Sequence, residues 1–377
     1  MQFRGEVMLH LIKTYLGRST ALVLMLLVAA CNHHLNTAKP VTVVEPQPTP
    51  VAKKTTAHRK EAVPAKALIV EPLVTPASKP APKLIEVVEL FESAPPARAK
   101  KHMISSANPL ATKAGLEILR KGGSAIDAAI AAELVLTLVE PQSSGIGGGA
   151  YLLHFSAKNG SIEAFDGRET APATAFPKMF LDADGKRLPR KQARLASQAI
   201  GVPGILRMLE LAHKQNGKLP WADLFEPAIK LAEEGFQISP RLHGLIGRHD
   251  GLPNFPATKE YFFTKDGNVK TVFSVLKNPA LARTLRTIAK NGADAFYAGD
   301  IARAIVAVVN KDGKNPAPMT LADISGYKAK RSEALCSFYR EWLICGAPPS
   351  TTGGITVLQI MGILQNFDLP GMKPGSV

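Results

Sequence analysis

Residues 124–155 read SAIDAAIAAELVLTLVEPQSSGIGGGAYLLHF, and three backbone regimes follow one another within them. Ser124 suits the N-cap of a helix that runs to Leu138, because its hydroxyl can accept an otherwise orphaned backbone N–H. The run Ala128-Ala129-Ile130-Ala131-Ala132 offers small side chains, so a neighbouring element can approach closely. Pro141 ends the helix. Residues 143–149 then read SSGIGGG and pass into an apolar strand, Tyr151-Leu152-Leu153-His154-Phe155. A glycine loop that cradles phosphate follows a strand and opens a helix. This one does the reverse and carries no Walker lysine, which argues against a nucleotide site. The loop reads instead as a tight passage of backbone that needs positive φ or close packing.

Outward from this unit, the pattern alternates. Residues 110–119 carry apolar side chains at helical spacing, and Lys121-Gly122-Gly123 supplies a stop. Downstream, Asn159-Gly160 is a favoured hairpin dipeptide. A returning strand at 162–165 leads into Asp166-Gly167-Arg168-Glu169-Thr170-Ala171-Pro172. Helices are expected at 206–214, 221–234, 279–290 and 300–309. The third has Asn278 as its N-cap and Pro279 at the first helical position, where a missing N–H costs nothing. Strands are expected at 334–338 and 342–346. Strands and helices in both orders indicate layered α/β or α+β packing.

The chain has three cysteines, Cys31, Cys336 and Cys345, spaced unlike a metal site. If Arg340 and Glu341 are the two turn residues of a hairpin, Cys336 faces Cys345 at a non-hydrogen-bonded pair, where Cβ atoms are closest. An exported chain can oxidise such a pair, so Cys336 and Cys345 are a disulfide candidate, with two small buried residues as the plain alternative.

The N-terminus reads as an address. Arg4, Lys13 and Arg18 precede an apolar run at 21–30 that is too short to cross a bilayer comfortably and is flanked like a secretory signal. Val28-Ala29-Ala30-Cys31 resembles a bacterial lipoprotein cleavage box, which implies a signal peptide at 1–30 and a lipid on Cys31. Asn32 in place of aspartate leans toward the outer membrane, so the expected location is the periplasmic face of a bacterial membrane. Ordinary secretion is the alternative. Residues 31–101 are rich in Pro, Lys and Ala, cannot bury a core, and read as an extended tether. The folded part is expected at 102–377.

The formal net charge is +15 over 377 residues, 46% of which are hydrophobic. Much of the excess sits in the tail, at Lys53, Lys54, Arg59, Lys60, Lys100 and Lys101. The folded part shows no basic run interleaved with aromatics, which argues against nucleic acid. A basic tail lying on anionic lipid is the more natural reading of that charge.

The segment from Asn108 onward resembles the gamma-glutamyltranspeptidase family. The matching runs, in family order, are NPLA (108–111), GLEILRKGGSAIDAA (115–129), EPQSSGIGGG (140–149), DGRETAP (166–172), GVPG (201–204), LPW (219–221) and PPSTTGG (348–354). The resemblance implies the N-terminal-nucleophile hydrolase fold, two stacked β-sheets between helical layers. It implies a precursor that cuts itself before a threonine to give a large and a small subunit. The freed threonine attacks the gamma-glutamyl amide of glutathione and related compounds, and the ester then passes to water or to an amine. In that scheme the threonine's own α-amine acts as base and oxyanion donors supply much of the acceleration. Neither a cofactor nor a metal is called for.

By the same resemblance, Arg168 matches the arginine that binds the donor's α-carboxylate. Its planar fork can meet both carboxylate oxygens and stays charged at any working pH. Glu169 is expected to support that arginine or the loop rather than touch substrate. The resemblance also implies that the chain is truncated within the large subunit, so the αββα fold is incomplete and the nucleophile lies beyond Val377. Thr351-Thr352 stand where the family has serines in a structural turn and are not that nucleophile. The partners expected are a gamma-glutamyl donor, a small subunit from the same precursor or a separate gene, and a membrane through the lipid anchor alone. An incomplete or frameshifted translation is the favoured explanation of the length. A separately encoded other half and a non-catalytic, glutamyl-binding or relic fragment are the alternatives. Taken alone, the chain is expected to be inactive and to expose sheet edges and apolar faces.

Overall fold

Asn108 caps the first helix: its Oδ1 accepts the N–H of Leu110 at 3.0 Å, and Pro109 takes the first helical position. This computed structural model describes residues 97–377 except 312, 314, 374, 376 and 377. The expected signal peptide at 1–30, Cys31 and the expected tether as far as residue 96 lie outside the described residues. Helix α1 (Pro109–Arg120) stops where Gly122 takes φ 90°, a conformation that costs other residues dearly. Ser124 then opens α2 (Ala125–Val139) with a full capping box: its hydroxyl accepts the N–H of Asp127, and Asp127 accepts the N–H of Ser124.

Helix α2 is apolar nearly all round and is the centre of the helical layer. It packs against α1, and the small-residue run permits close contact. A Cβ on Gly115 of α1 would come 3.0 Å from the carbonyl of Ala128. The glycine loop leads into β1 (Tyr151–Ser156), which pairs antiparallel with β2 (Ser161–Asp166) through a turn where Gly160 has φ 69°.

Helices follow. After α3 (Arg190–Leu195) and α4 (Ile205–Asn216), a continuous helix is expected over 221–234, but the structure breaks it. Trp221–Leu224 forms a 3₁₀ turn and α5 begins separately (Glu226–Glu234). Pro227 explains the break. A continuous α-helix would need its missing N–H to reach the carbonyl of Asp223, and the proline ring would press on that carbonyl. The two-residue strand β3 (Phe236–Gln237), α6 (Pro240–Gly247), α7 (Pro256–Phe262) and the two-residue β4 (Val275–Leu276), which pairs with β3, come next.

Asn278 caps α8 (Pro279–Asn291), its Oδ1 accepting from Leu281 at 3.0 Å. The short α9 (Asp294–Tyr297), α10 (Gly299–Val309) and α11 (Leu321–Ser325) complete this layer. Helices α1, α4 and α5 surround α2, α8 lies on α5, and α4 packs on β2. Fully buried Leu134, Leu138, Leu206, Met208 and Phe225 join these elements.

Strand β5 (Lys330–Glu333) adds to the free edge of β2, with Asp166 opposite Lys330 and Glu163 opposite Glu333. Its four residues are all exposed. Strands β6 (Leu335–Tyr339) and β7 (Trp342–Gly346) form a hairpin turning at Arg340, which has φ 53°, and Glu341. Cys336 and Cys345 are register partners and their sulfurs are bonded. The last helix, α12 (Gly353–Leu364), lies on this hairpin. Its start crosses the end of β7 so closely that a Cβ on Gly346 would lie 2.5 Å from the Cα of Gly354.

Helix α12 buries none of its residues, although it is rich in Ile, Val, Leu and Met. Ile360, Ile363 and Phe367 leave apolar surface exposed along and just after α12, the kind that marks an interaction site; on the hairpin, Phe338 and Leu343 are exposed on one side and Trp342 on the other. Among the described residues no helix is long and apolar enough to cross a membrane.

Candidate functional site

The motif Asp166-Gly167-Arg168-Glu169 sits at the end of β2, where the hairpin ladder runs one residue pair beyond its strands. Gly167 donates to the carbonyl of Ala150 at 2.9 Å and accepts from its N–H at 3.3 Å. Residue 167 must be small, because a Cβ there would come 2.5 Å from Met208 Cβ on α4. The chain then turns, with the Arg168 N–H donating to Asp166 Oδ1 at 2.8 Å. Thr170 and Val202 exchange backbone hydrogen bonds of 3.3 and 2.8 Å, which ties this turn to the Gly201-Val202-Pro203-Gly204 run.

The glycine loop closes the arrangement from the other side. The carbonyl of Gly148 accepts from the N–H groups of Gly204 and Ile205 at 2.9 and 3.1 Å, so it faces the start of α4. Contact and not backbone strain requires a small residue in this loop, and at Gly149: Gly145, Gly147, Gly148 and Gly149 all lie outside the positive-φ set. A Cβ on Gly149 would meet the carbonyl of Gly167 at 2.5 Å and Glu169 Oε2 at 2.7 Å, whereas Gly145 and Gly147 face open space.

Arg168 projects its side chain largely into solvent, with Nη1 at 3.4 Å from Glu169 Oε2; the two side chains are 62% and 29% exposed. It borders a cavity of about 90 Å³ lined also by Asp166, Glu169, Thr170, Tyr327, Lys328, Lys330 and Ser350. Ser350, from the Pro-Pro-Ser-Thr-Thr-Gly-Gly run, shares a 2.7 Å hydrogen bond with Tyr151 at the start of β1. Four sequence runs that are far apart in the chain therefore meet here.

Sequence reasoning singled out Arg168 and missed Tyr327, Lys328 and Lys330. The β2–β5 pairing brings these three beside Arg168, and nothing local in the chain marks them. Burial, with the carboxylates of Asp166 and Glu169 nearby, pushes the Tyr327 phenol up to about 12. It therefore stays protonated and donates to the carbonyl of Arg168 at 2.7 Å. Three cations against two carboxylates leave the cavity lining suited to a small anion.

Glu169 also borders a second cavity of about 420 Å³, lined by Glu133, Gln142, Ser144 and the glycine loop. Burial pushes the Glu133 carboxyl up, and the hydrogen bond from Ser144 opposes that shift. The disulfide Cys336–Cys345 contributes no residue to the cavity beside Arg168.

Comparison with known proteins identifies the family. The family model described as gamma-glutamyltranspeptidase matches residues 111–377. A glutathione hydrolase proenzyme of Bacillus subtilis (strain 168) is 37% identical over 270 residues, 72% of this chain and 45% of that protein. One from Escherichia coli (strain K12) is 37% identical over 305 residues, 80% of this chain and 51% of that protein. The chain thus spans about half the length of these relatives. The solved Helicobacter pylori gamma-glutamyltranspeptidase superposes with a TM-score of 0.70 at 34% identity, covering 75% of this chain and 80% of that one. The Pseudomonas nitroreducens gamma-glutamyltranspeptidase, solved in complex with L-DON, gives 0.67 at 31% identity, covering 74% and 81%. The mixed helix-and-sheet architecture is that of these N-terminal-nucleophile hydrolases, and the chain belongs to the gamma-glutamyltranspeptidase family.

Proposed function

We propose that this chain supplies the carboxylate-binding half of an enzyme that transfers or hydrolyses the gamma-glutamyl group of glutathione and related compounds. The observation that carries the reading is the placement of Arg168. Its guanidinium stands beside a small cavity with Lys328 and Lys330 on the same lining, and among the described residues its one ion pair is with the partly buried Glu169. A donor's α-carboxylate can take up that fork in two parallel hydrogen bonds.

The nucleophile in this reading is a threonine outside these 377 residues. Its hydroxyl oxygen adds to the amide carbon of the donor, its α-amine takes the proton, and the departing amine receives it as the C–N bond breaks. The ester is then cleaved by water or by an acceptor amine. The exposed apolar residues of α12 and of the β6–β7 hairpin are the surface on which the rest of the enzyme packs. Export and lipid attachment at Cys31 belong to the same proposal, and replacement of Cys31 by serine should abolish labelling by a radioactive fatty acid in cells.

The decisive assay is release of a chromogenic anilide from a gamma-glutamyl donor by the completed protein. Arg168→Ala is expected to raise the apparent KM by roughly tenfold to a hundredfold, the range for a lost charge-assisted pair. Arg168→Lys should recover only part of it, since a point charge cannot form the fork. An unchanged KM in Arg168→Ala would remove Arg168 from the donor site.

A further inference from the structure

A second cationic cavity lies apart from the site above and shares no residue with it. Its volume is about 620 Å³, and it is lined by Arg190, Lys191, Arg194 and Leu195 from α3 and by Arg248, His249, Asp250 and Gly251 from the segment after α6. The α3 segment is basic in the sequence, with five Lys and Arg among residues 186–194, and Arg248 lies far along the chain from it. The fold brings them together: Leu195 covers Gly251 so closely that a Cβ there would lie 2.9 Å from Leu195 Cδ1. An ion pair between Lys191 and Asp250 fastens the same junction.

The charges around the cavity are unbalanced. Arg190, Lys191, Arg194 and Arg248 give four positive charges and Asp250 one negative, a lining charge of +3 with His249 neutral. Asp250 is already committed to Lys191. Among the described residues, Arg190, Arg194 and Arg248 take part in no ion pair. All three are exposed, so their guanidinium groups are available to a ligand from solution.

We propose that this cavity binds a multiply charged, phosphate-bearing anion. A guanidinium presents a planar fork that meets two oxygens of a phosphate at once. A single carboxylate would leave most of the +3 lining unmatched, whereas a phosphate group brings up to two negative charges on a compact set of oxygens. The cavity has room for more than one such group. Soluble phosphate compounds and the phosphate headgroups of an anionic membrane share this chemistry.

The test uses the full chain and three proteins: wild type, the triple variant Arg190→Gln/Arg194→Gln/Arg248→Gln, and a control triple variant, Lys113→Gln/Lys158→Gln/Lys265→Gln. The control removes the same net charge from exposed positions elsewhere. Binding of inorganic pyrophosphate is measured by calorimetry. Binding of phosphatidylglycerol-containing vesicles is measured by sedimentation, against pure phosphatidylcholine. Wild type and control should bind at least one probe, and the arginine triple variant should lose about tenfold or more in affinity. Thermal melts of the three proteins run alongside, and single Arg194→Gln and Arg248→Gln variants replace the triple if it melts early. Binding of pyrophosphate without vesicles assigns the site to a soluble phosphate; vesicles without pyrophosphate assign it to lipid. Absence of binding to both probes by wild type, or equal weakening in the two triple variants, overturns the proposal. None of these readouts depends on gamma-glutamyl chemistry.

Discussion

The hydroxyl of Tyr327 donates a 2.7 Å hydrogen bond to the main-chain carbonyl of Arg168, a residue 159 positions earlier in the chain. Tyr327 is buried and stacks on Tyr297 with ring centroids 5.9 Å apart. Tyr297 in turn accepts the N–H of Arg207 at 3.2 Å, and the guanidinium of Arg207 lies over its ring at 4.4 Å. The backbone that carries Arg168 is thus fixed to the helical layer through two aromatic rings. Tyr327→Phe keeps the stack and removes only the donor. It is expected to cost about 0.5–1.5 kcal/mol in urea unfolding. In the completed enzyme it should weaken donor affinity severalfold. A variant indistinguishable from wild type in both measurements would separate Tyr327 from the site.

Gly204 faces the same hydroxyl. A Cβ there would lie 2.1 Å from Tyr327 Oη and 2.3 Å from the carbonyl of Gly167. The backbone carbonyl cannot rotate away as a side chain would. Gly204→Ala should therefore destabilise by about 2–4 kcal/mol, whereas Gly145→Ala, which faces open space, should stay within about 0.5 kcal/mol of wild type. Paired denaturation curves decide it, and equal stabilities for the two variants would contradict the packing described.

Asp127 is fully buried, and its Oδ2 accepts the N–H groups of Ser124, Lys218 and Leu219 at 2.8, 2.9 and 3.1 Å. It therefore caps α2 and fastens the segment before Trp221 to it. Asp127→Ala leaves three backbone donors without that acceptor and should cost about 3–5 kcal/mol. Asp127→Asn retains one accepting oxygen and should cost less. The ranking is read from urea midpoints, and the reverse order would rule out this role.

Glu133 gives a pH dependence. Burial raises its carboxyl in the folded state, so the folded protein holds the proton more tightly than the unfolded chain. The associated stability is fully present below the ordinary glutamate value of 4.5 and is lost as pH rises through the raised folded value. Glu133→Gln has no charge to desolvate. It should melt higher than wild type at pH 7, and the difference should shrink toward zero by about pH 4. A gap that is constant across that range would exclude titration of Glu133 as the cause.

The bond between Cys336 and Cys345 closes a loop of sequence separation 9. Thiol titration of the denatured protein should find two more thiols after reduction than before. Replacing both by serine should cost about 2–3 kcal/mol, the loop-entropy value for so short a crosslink. Equal thiol counts with and without reductant would show that the bond is not formed in the protein as isolated.

What the chain alone determined is local. Ser124 and Asn278 caps, the Asn159-Gly160 turn and the Cys336–Cys345 register each depend on a few neighbouring residues, whose backbone preferences are written in the sequence. The ordered family motifs placed Arg168 at the end of a strand. Other features required the folded molecule. Lys330-Arg331-Ser332-Glu333 shows no apolar alternation, and it is a strand only because β2 offers it an edge. That single pairing carries Tyr327 and Lys328 to Arg168. Helix α5 begins late because Pro227 meets its own preceding turn, and the arginines at 190, 194 and 248 share a cavity only because Leu195 packs on Gly251. Contacts between residues this far apart cost chain entropy that only the packing of the whole domain offsets, so no local pattern announces them.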